Sequence, residues 1–302
     1  MTYDHGVQPC EPARSTATGA DVTRVPALLA ALVDDAGLFP PERLPMDRAM
    51  ARHRADAASA HPVLTHRFLC AASSLAELRA ELADEVLRLG LIVDTGPAGV
   101  DAAVRAVRSE PRVRLETVEV ALPATDVADA ARTHVPALAG VGAPVFVELP
   151  RARGWRAVLE VVASAGVGTK VRCGGVDAAL FPSAAELATM VRAIVAEGVP
   201  WKATAGLHHA VRYRDGRTGF DHHGFLNLLV AVSRAVHGGT QDDVAEALAI
   251  DSGPALAAEV RAAGDAVGAR SRRSLTAYGS CSTSEPIADL DALGLLDDGS
   301  DG

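Results

Sequence analysis

The feature that most constrains the fold of this 302-residue chain is an alternation of strand-like and helix-like segments along most of its length. Each unit opens with a short β-branched or apolar run, continues as an Ala-, Leu- and Arg-rich segment with helical spacing, and ends at Gly or Pro. Such alternation is typical of βαβ units and a parallel sheet. It predicts seven strands, at 65–72, 87–94, 114–123, 143–150, 168–175, 200–207 and 275–282.

This number of units favours an α/β fold of the closed (β/α)8 TIM-barrel type over an open doubly wound sheet. No GxGxxG follows the first strand, and no GxxxxGK[ST] occurs. Two segments are candidates for the eighth strand, 26–41 and FLNLLVAV, although FLNLLVAV is more typical of a helix. Residues 240–273 are predicted to be helical. We therefore predict one barrel domain over 24–296, eight-stranded or irregular and seven-stranded, between disordered tails at 1–23 and 297–302.

Composition and charge narrow the function classes. The net charge of −9 argues against a nucleic-acid or anionic-membrane binder, which needs a basic face. The chain has no uninterrupted run of 18 apolar residues, and its N-terminus has no signal-peptide core. Four widely spaced cysteines are typical of reduced thiols. We expect a cytoplasmic protein whose partner is a small, anionic molecule, with homo-oligomerisation open.

Strand alternation assigns one face of each strand to the barrel interior, where polar side chains collect at the C-terminal rim. The predicted strands then send acidic and basic side chains toward one cavity. The inward candidates are Asp94, Thr117, Glu119, Phe146, Glu148, Lys170, Arg172, Lys202, Thr204, Thr276, Tyr278 and Ser280. This concentration of ionisable groups indicates a functional interior, since buried ion pairs stabilise a fold only weakly.

Lys170 and Lys202 are the only lysines among 29 basic residues. Arg serves elsewhere as a solvated cation, but it cannot replace an amine that loses its proton and attacks a carbonyl. A second cation beside such an amine favours its neutral, nucleophilic form. The two lysines on adjacent strands therefore predict iminium (Schiff-base) chemistry without a cofactor.

Two segments carry a family resemblance. TKVRCGGVDAALFPSAAELATMV resembles the Lys-x-x-Gly-Gly strand and following helix of class I aldolases related to deoxyribose-phosphate aldolase, and WKATAG resembles their other lysine strand. The resemblance implies a carbon–carbon lyase with Lys202 as nucleophile and Lys170 as its tuning partner. TAGLHH, HGFLNL, YGSCS and EPIADLDALGLL also resemble an uncharacterised bacterial family of barrel proteins, which implies the fold alone.

Other side chains complete the predicted site. Four histidines at 208, 209, 222 and 223 suggest acid–base catalysis by His208, a metal site or loop packing. The last predicted strand is followed by the start of a helix, whose free backbone N–H groups favour binding of an anion. Capping of that helix by Ser280 and Ser282 is an equally good explanation of these serines. We predict catalytic roles for Lys202, Lys170, Glu148, Glu119 and His208, and substrate contacts from Arg172, Thr204, His209, Tyr278, Ser280 and Ser282.

Two alternatives remain. Carboxylates on successive strands followed by lysines resemble the enolase superfamily, in which Asp94, Glu119 and Glu148 would hold Mg2+ while a lysine removes a proton α to a carboxylate. The second alternative is a non-catalytic barrel that binds a small acid. Asp34 and Asp35, before the FPP turn, are expected to be solvated capping residues.

Overall fold

Eight parallel strands close into a barrel in the computed structural model of the protein, which describes residues 25–296. The predicted tails, 1–23 and 297–302, lie outside the described residues. Around the barrel, the first seven strands neighbour one another in chain order, and the last strand closes the barrel between the seventh and the first. They are β1 Val33–Asp35, β2 Leu64–Ala71, β3 Leu87–Val93, β4 Val113–Ala121, β5 Val145–Glu148, β6 Gly168–Arg172, β7 Trp201–Thr204 and β10 Leu275–Ser280.

Helices follow most of the strands and form the outer layer, as expected for βαβ units. A small antiparallel hairpin, β8 Tyr213–Arg214 and β9 Asp221–His222, lies between β7 and α7. The helices are α1 Met46–Ser59, α2 Leu75–Glu81, α3 Val100–Arg108, α4 Val127–Leu138, α5 Trp155–Ala165, α6 Ala184–Ala196, α7 Phe225–Val236, α8 Gln241–Ala249, α9 Gly253–Ser274 and α10 Ser284–Ala292.

The seven predicted strands are confirmed, and the eighth is β1, inside the 26–41 candidate. The barrel is therefore eight-stranded, and the seven-stranded alternative is wrong. The segment FLNLLVAV lies in α7, whose residues are buried on nearly all sides because α6, α8 and α9 pack around it. The predicted helical region 240–273 forms α8 and α9, with a kink where Gly264 adopts a φ of +65°.

The main apolar core lies between the outward face of the strands and the helices. Leu89 and Leu91 of β3 and Val118 of β4 are buried there. The stretch Ala178–Ala196 is long and apolar enough to span a membrane by length and composition. Extended backbone at Phe181 and Ser183 divides this stretch into a short 3-10 turn and α6. Since α6 buries its apolar side chains in the same core, it is a helix of the barrel's outer layer.

Candidate functional site

Two lysine amines and three carboxylates meet inside the barrel. Lys202 Nζ lies 2.6 Å from Asp34 Oδ2 and also contacts Glu119 Oε1. The other oxygen of Glu119 lies 3.2 Å from Lys170 Nζ, and Lys170 Nζ lies 3.0 Å from Glu148 Oε2. Carboxylates and amines thus alternate, and Glu119 bridges the two lysines. We call these five residues the lysine–carboxylate cluster.

The register of the sheet explains why these side chains meet. Glu148 pairs with Lys170, and Lys170 pairs with Lys202, so β5, β6 and β7 carry charged residues at one level. Alternation sends all three to the interior, as predicted, together with Glu119 of β4. Phe146, also predicted to point inward, lies with its ring centroid 5.7 Å from Lys202 Nζ.

Arginines extend the cluster toward both ends of the barrel. Arg172 Nε lies 3.1 Å from Glu148 Oε1 at the C-terminal ends of β5 and β6. Arg67 Nη1 lies 2.9 Å from Asp34 Oδ1, and its Nε is 3.3 Å from Glu116 Oε2, nearer the start of β4. Ion pairs therefore continue through the interior to the C-terminal rim, where catalytic groups of such barrels are found.

Exposure rises along the cluster toward that rim. The side chain of Lys202 is 1% exposed, that of Lys170 is 7%, that of Glu148 is 20% and that of Arg172 is 36%. Thr204, a predicted substrate contact, ends β7 opposite Arg172. A molecule entering from the C-terminal rim would therefore meet Arg172 and Glu148 first, then Lys170, and Lys202 last.

Opposite charges hold Lys170 and Glu119 in their charged forms. Burial acts to lower the pKa of Lys170, but Glu119 and Glu148 outweigh it and raise that pKa above its ordinary value. Burial likewise acts to raise the pKa of Glu119, while Lys202 and Lys170 lower it to about 2. From the order of the strands alone, Lys202 is expected to be the less compensated amine, with Glu148 on β5 neutralising Lys170 on the neighbouring β6. That expectation is wrong, because Lys202 contacts Asp34 in addition to the Glu119 that it shares with Lys170.

Asp34 and Asp35 are buried, so their predicted role as solvated caps is wrong. Asp34 points into the barrel and joins the lysine–carboxylate cluster. Asp35 points the other way, where it pairs with Arg52 at 2.5 Å and with His53 at 3.1 Å in α1. The aspartates take opposite faces because they are consecutive residues of a strand. Their position after the apolar run PALLAALV was the available signal for a strand.

Two side chains of the last strand that were predicted to point inward, Tyr278 and Ser280, point outward. The ring of Tyr278 stacks on Phe225 of α7 at 5.5 Å and belongs to the outer core, so a substrate contact from it is wrong. Ser280 follows on the same face and donates its hydroxyl to the carbonyl of Ser282. Ser282 Oγ accepts from the backbone N–H of Glu285, which is the capping role weighed above.

The histidines divide between two surroundings. His208 Nδ1 lies 3.6 Å from Cys281 Sγ, and the His208 ring is 6.1 Å from that of His222. His209 turns its ring to Asp289, at 3.3 Å, with its side chain about half exposed. Burial, followed by the neighbouring imidazoles, lowers the pKa of His208, which favours a neutral base at the rim. Spacing alone did not reveal its contact with Cys281.

Two loops at the C-terminal rim pack on each other. Gly206, after β7, has a φ of +73°, and a side chain there would meet the backbone of Gly174, after β6, at 2.9 Å. His223 Nε2 hydrogen-bonds to the carbonyl of Pro182 at 2.7 Å, and the ring of His222 lies 4.6 Å from Phe181. The loop after β6 and the β8–β9 hairpin therefore form one cover beside the C-terminal ends of these strands.

The Mg2+ ligand set considered in the sequence analysis does not assemble. Asp94 is exposed and binds the backbone N–H and hydroxyl of Ser73, while Glu119 and Glu148 face Lys170. Across residues 25–296, no group of three or more His, Cys, Asp or Glu side chains is arranged to hold a metal ion. The proposed trio of carboxylates therefore does not fit Mg2+.

Fold and site together define an α/β barrel with a buried lysine–carboxylate cluster that leads to its C-terminal rim. Comparison with protein-family models gives no match, and no curated protein matches the chain. The resemblance to class I aldolases accordingly remains a prediction from the two lysine segments.

Proposed function

We propose that this chain is an enzyme that joins a lysine amine to a small, anionic aldehyde or keto acid as an iminium ion, and that it acts as a carbon–carbon lyase of the class I aldolase type. The observation that supports this most is that the only two lysines share one carboxylate, Glu119, inside the barrel. Amines and carboxylates at the C-terminal ends of barrel strands are the groups that iminium formation and proton transfer need. The free thiols of the described cysteines fit a cytoplasmic location.

The geometry favours Lys170 as the reactive amine. The resemblance to aldolases assigned that role to Lys202, but Lys202 lies deeper and is enclosed by Asp34 and Glu119. Lys170 lies nearer the rim, beside the partly exposed Glu148. In this proposal, Lys202 is the second cation that shares Glu119.

The charge balance of the reaction suits this environment. A protonated lysine and a carbonyl give an iminium ion and one water, so the positive charge between Glu119 and Glu148 is retained. Within the described chain Arg172 makes one ion pair, through Nε, which leaves its Nη groups for the carboxylate of a substrate. An anion there would weaken the hold of Arg172 on Glu148, and Glu148 then becomes a better acceptor for the proton of Lys170.

Glu148 then carries the proton between the two reacting atoms. It takes a proton from the ammonium group of Lys170, whose nitrogen attacks the carbonyl carbon, and delivers that proton to the carbonyl oxygen. It then transfers a second proton from the same nitrogen to that oxygen, which leaves as water and gives the iminium ion. The base that accepts the hydroxyl proton during carbon–carbon cleavage is His208 in this proposal. Its half-buried imidazole, whose pKa burial lowers, is suited to that step.

Borohydride trapping tests the proposal directly. The protein is incubated with short 2-oxo acids and hydroxyaldehydes, reduced, and analysed by intact mass and peptide mapping, with Lys170→Arg, Lys202→Arg and the double variant in parallel. We expect an adduct on Lys170 that disappears in Lys170→Arg and persists, reduced in yield, in Lys202→Arg. An adduct on Lys202 alone would reverse the two roles, and the absence of any adduct above the double variant would refute iminium chemistry. Activity that EDTA removes and Mg2+ restores would instead support an enolate mechanism.

A further inference from the structure

Asp34 is held from two sides at the deep end of the lysine–carboxylate cluster. The hydroxyl of Thr65 donates to Asp34 Oδ1 over 2.6 Å, and Arg67 Nη1 donates to the same oxygen over 2.9 Å. The other oxygen, Oδ2, lies 2.6 Å from Lys202 Nζ. Rotation of this carboxylate would break contacts to β2, so β2 determines how Asp34 faces Lys202.

The backbone of β2 is distorted where it supplies these donors. His66, between Thr65 and Arg67, has a φ of +54°, which is unfavourable for a residue with a Cβ. One residue of β1, Asp34, is matched by three of β2, since Val33 pairs with Leu64 and Asp35 with Phe68. Such an irregularity redirects side chains, and strained backbone persists where the surroundings impose it. Here the strained backbone lies between Thr65 and Arg67, the two residues that donate to Asp34 Oδ1.

We propose that Asp34 is a positioning residue: it supplies Lys202 with a second carboxylate, so that Glu119 stays shared between Lys202 and Lys170. If Asp34 were neutral, Lys202 would have Glu119 as its remaining carboxylate and would draw it from Lys170. The ion pairs of the lysine–carboxylate cluster support this inference. It rests on the proposed function only for the role of Lys170 as the reactive amine.

The surroundings of Lys170 give the direction of the effect. It is faced by Glu119 from β4, by Glu148 from β5 and by Lys202 from β7, while Arg172 on its own strand acts through Glu148. A smaller share of Glu119 leaves Lys170 with less compensation for its burial. Lys170 should then release its proton at a lower pH.

Because the chain has only two lysines, the pH at which Lys170 loses its proton can be measured for that residue alone. NMR of protein labelled with carbon-13 at lysine Cε gives two lysine resonances, and the Lys202→Arg variant assigns them. The pH titration of each resonance is then compared among the unaltered protein, Asp34→Asn and Asp35→Asn. Asp35 is the matched control because it is adjacent and equally buried but pairs with Arg52 and His53. We expect Asp34→Asn to move the titration of Lys170 to lower pH and Asp35→Asn to leave it in place.

An unchanged titration of Lys170 in Asp34→Asn, or an equal change in Asp35→Asn, would overturn the inference. The thermal unfolding midpoint of each variant is measured first, and Asp34→Ser, which leaves room for a water, replaces Asp34→Asn if the latter does not fold. Trapping separates this inference from the proposed function. A shifted titration without any borohydride adduct would refute iminium chemistry alone, whereas an adduct with an unshifted titration would refute the positioning role alone.

Discussion

Glu119→Gln tests how strongly the lysine–carboxylate cluster stabilises the fold. Glu119 is 2% exposed and contacts both lysines, so its loss leaves each buried ammonium with fewer negative neighbours. Burial alone would raise the pKa of Glu119, but the two ammonium groups lower it to about 2 from an unfolded value near 4.5. At 1.36 kcal/mol per unit, this difference corresponds to about 3 kcal/mol at neutral pH. Removing one partner from a buried ion pair independently costs about 3–5 kcal/mol.

The pH dependence follows from the sign of that shift. A carboxylate whose pKa is lower in the folded state contributes its full stabilisation above its unfolded pKa. The contribution declines as the pH falls from about 4.5 to about 2. The difference in free energy of unfolding between the unaltered protein and Glu119→Gln should therefore be largest at neutral pH and shrink with acidification.

Urea-induced equilibrium unfolding, followed by circular dichroism at a series of pH values, measures this difference. Glu110→Gln is the control. Arg112 also lowers the pKa of Glu110 to about 2, yet the Arg112 side chain is 39% exposed, so solvent screens the pair. We expect no measurable loss of stability for Glu110→Gln. Equal stability of Glu119→Gln and the unaltered protein at neutral pH, or a difference independent of pH, would refute the reasoning.

Two further predictions concern residues outside the cluster. Arg272 donates to the carbonyls of residues 31 and 276 where β10 meets β1, so Arg272→Met should lower the free energy of unfolding by about 1–3 kcal/mol. Arg273→Met should not, because Arg273 is exposed. Equal thermal midpoints of the two variants would contradict this prediction. Under native conditions iodoacetamide should alkylate Cys281 before Cys70 and Cys173, in which burial raises the pKa to about 12. Peptide mapping would read this order, and equal rates would count against it.

Sequence pattern predicted the barrel and its charged interior because both depend on short-range periodicity. Seven strands followed from apolar runs that alternate with helical segments, and the inward faces of β4 to β7 followed from a period of two. The same rule failed in β10. There the register with β7 shifts between Leu275 and Ala277, and the outer core takes up Tyr278. A shift of one residue exchanges the two faces of a strand.

By itself, the sequence determined the order of strands and helices and the presence of two lysines among many arginines, because residue type and local spacing are properties of the chain. Only the tertiary structure decided which charged side chains contact one another. Asp34 reaches Lys202 across 168 residues of chain through closure of the barrel, and it faces inward while Asp35 faces α1. Depth in the barrel likewise separates Lys170 from Lys202. The position of β1 beside β10 and the depth of each lysine arise from packing between distant segments, which local periodicity does not reveal.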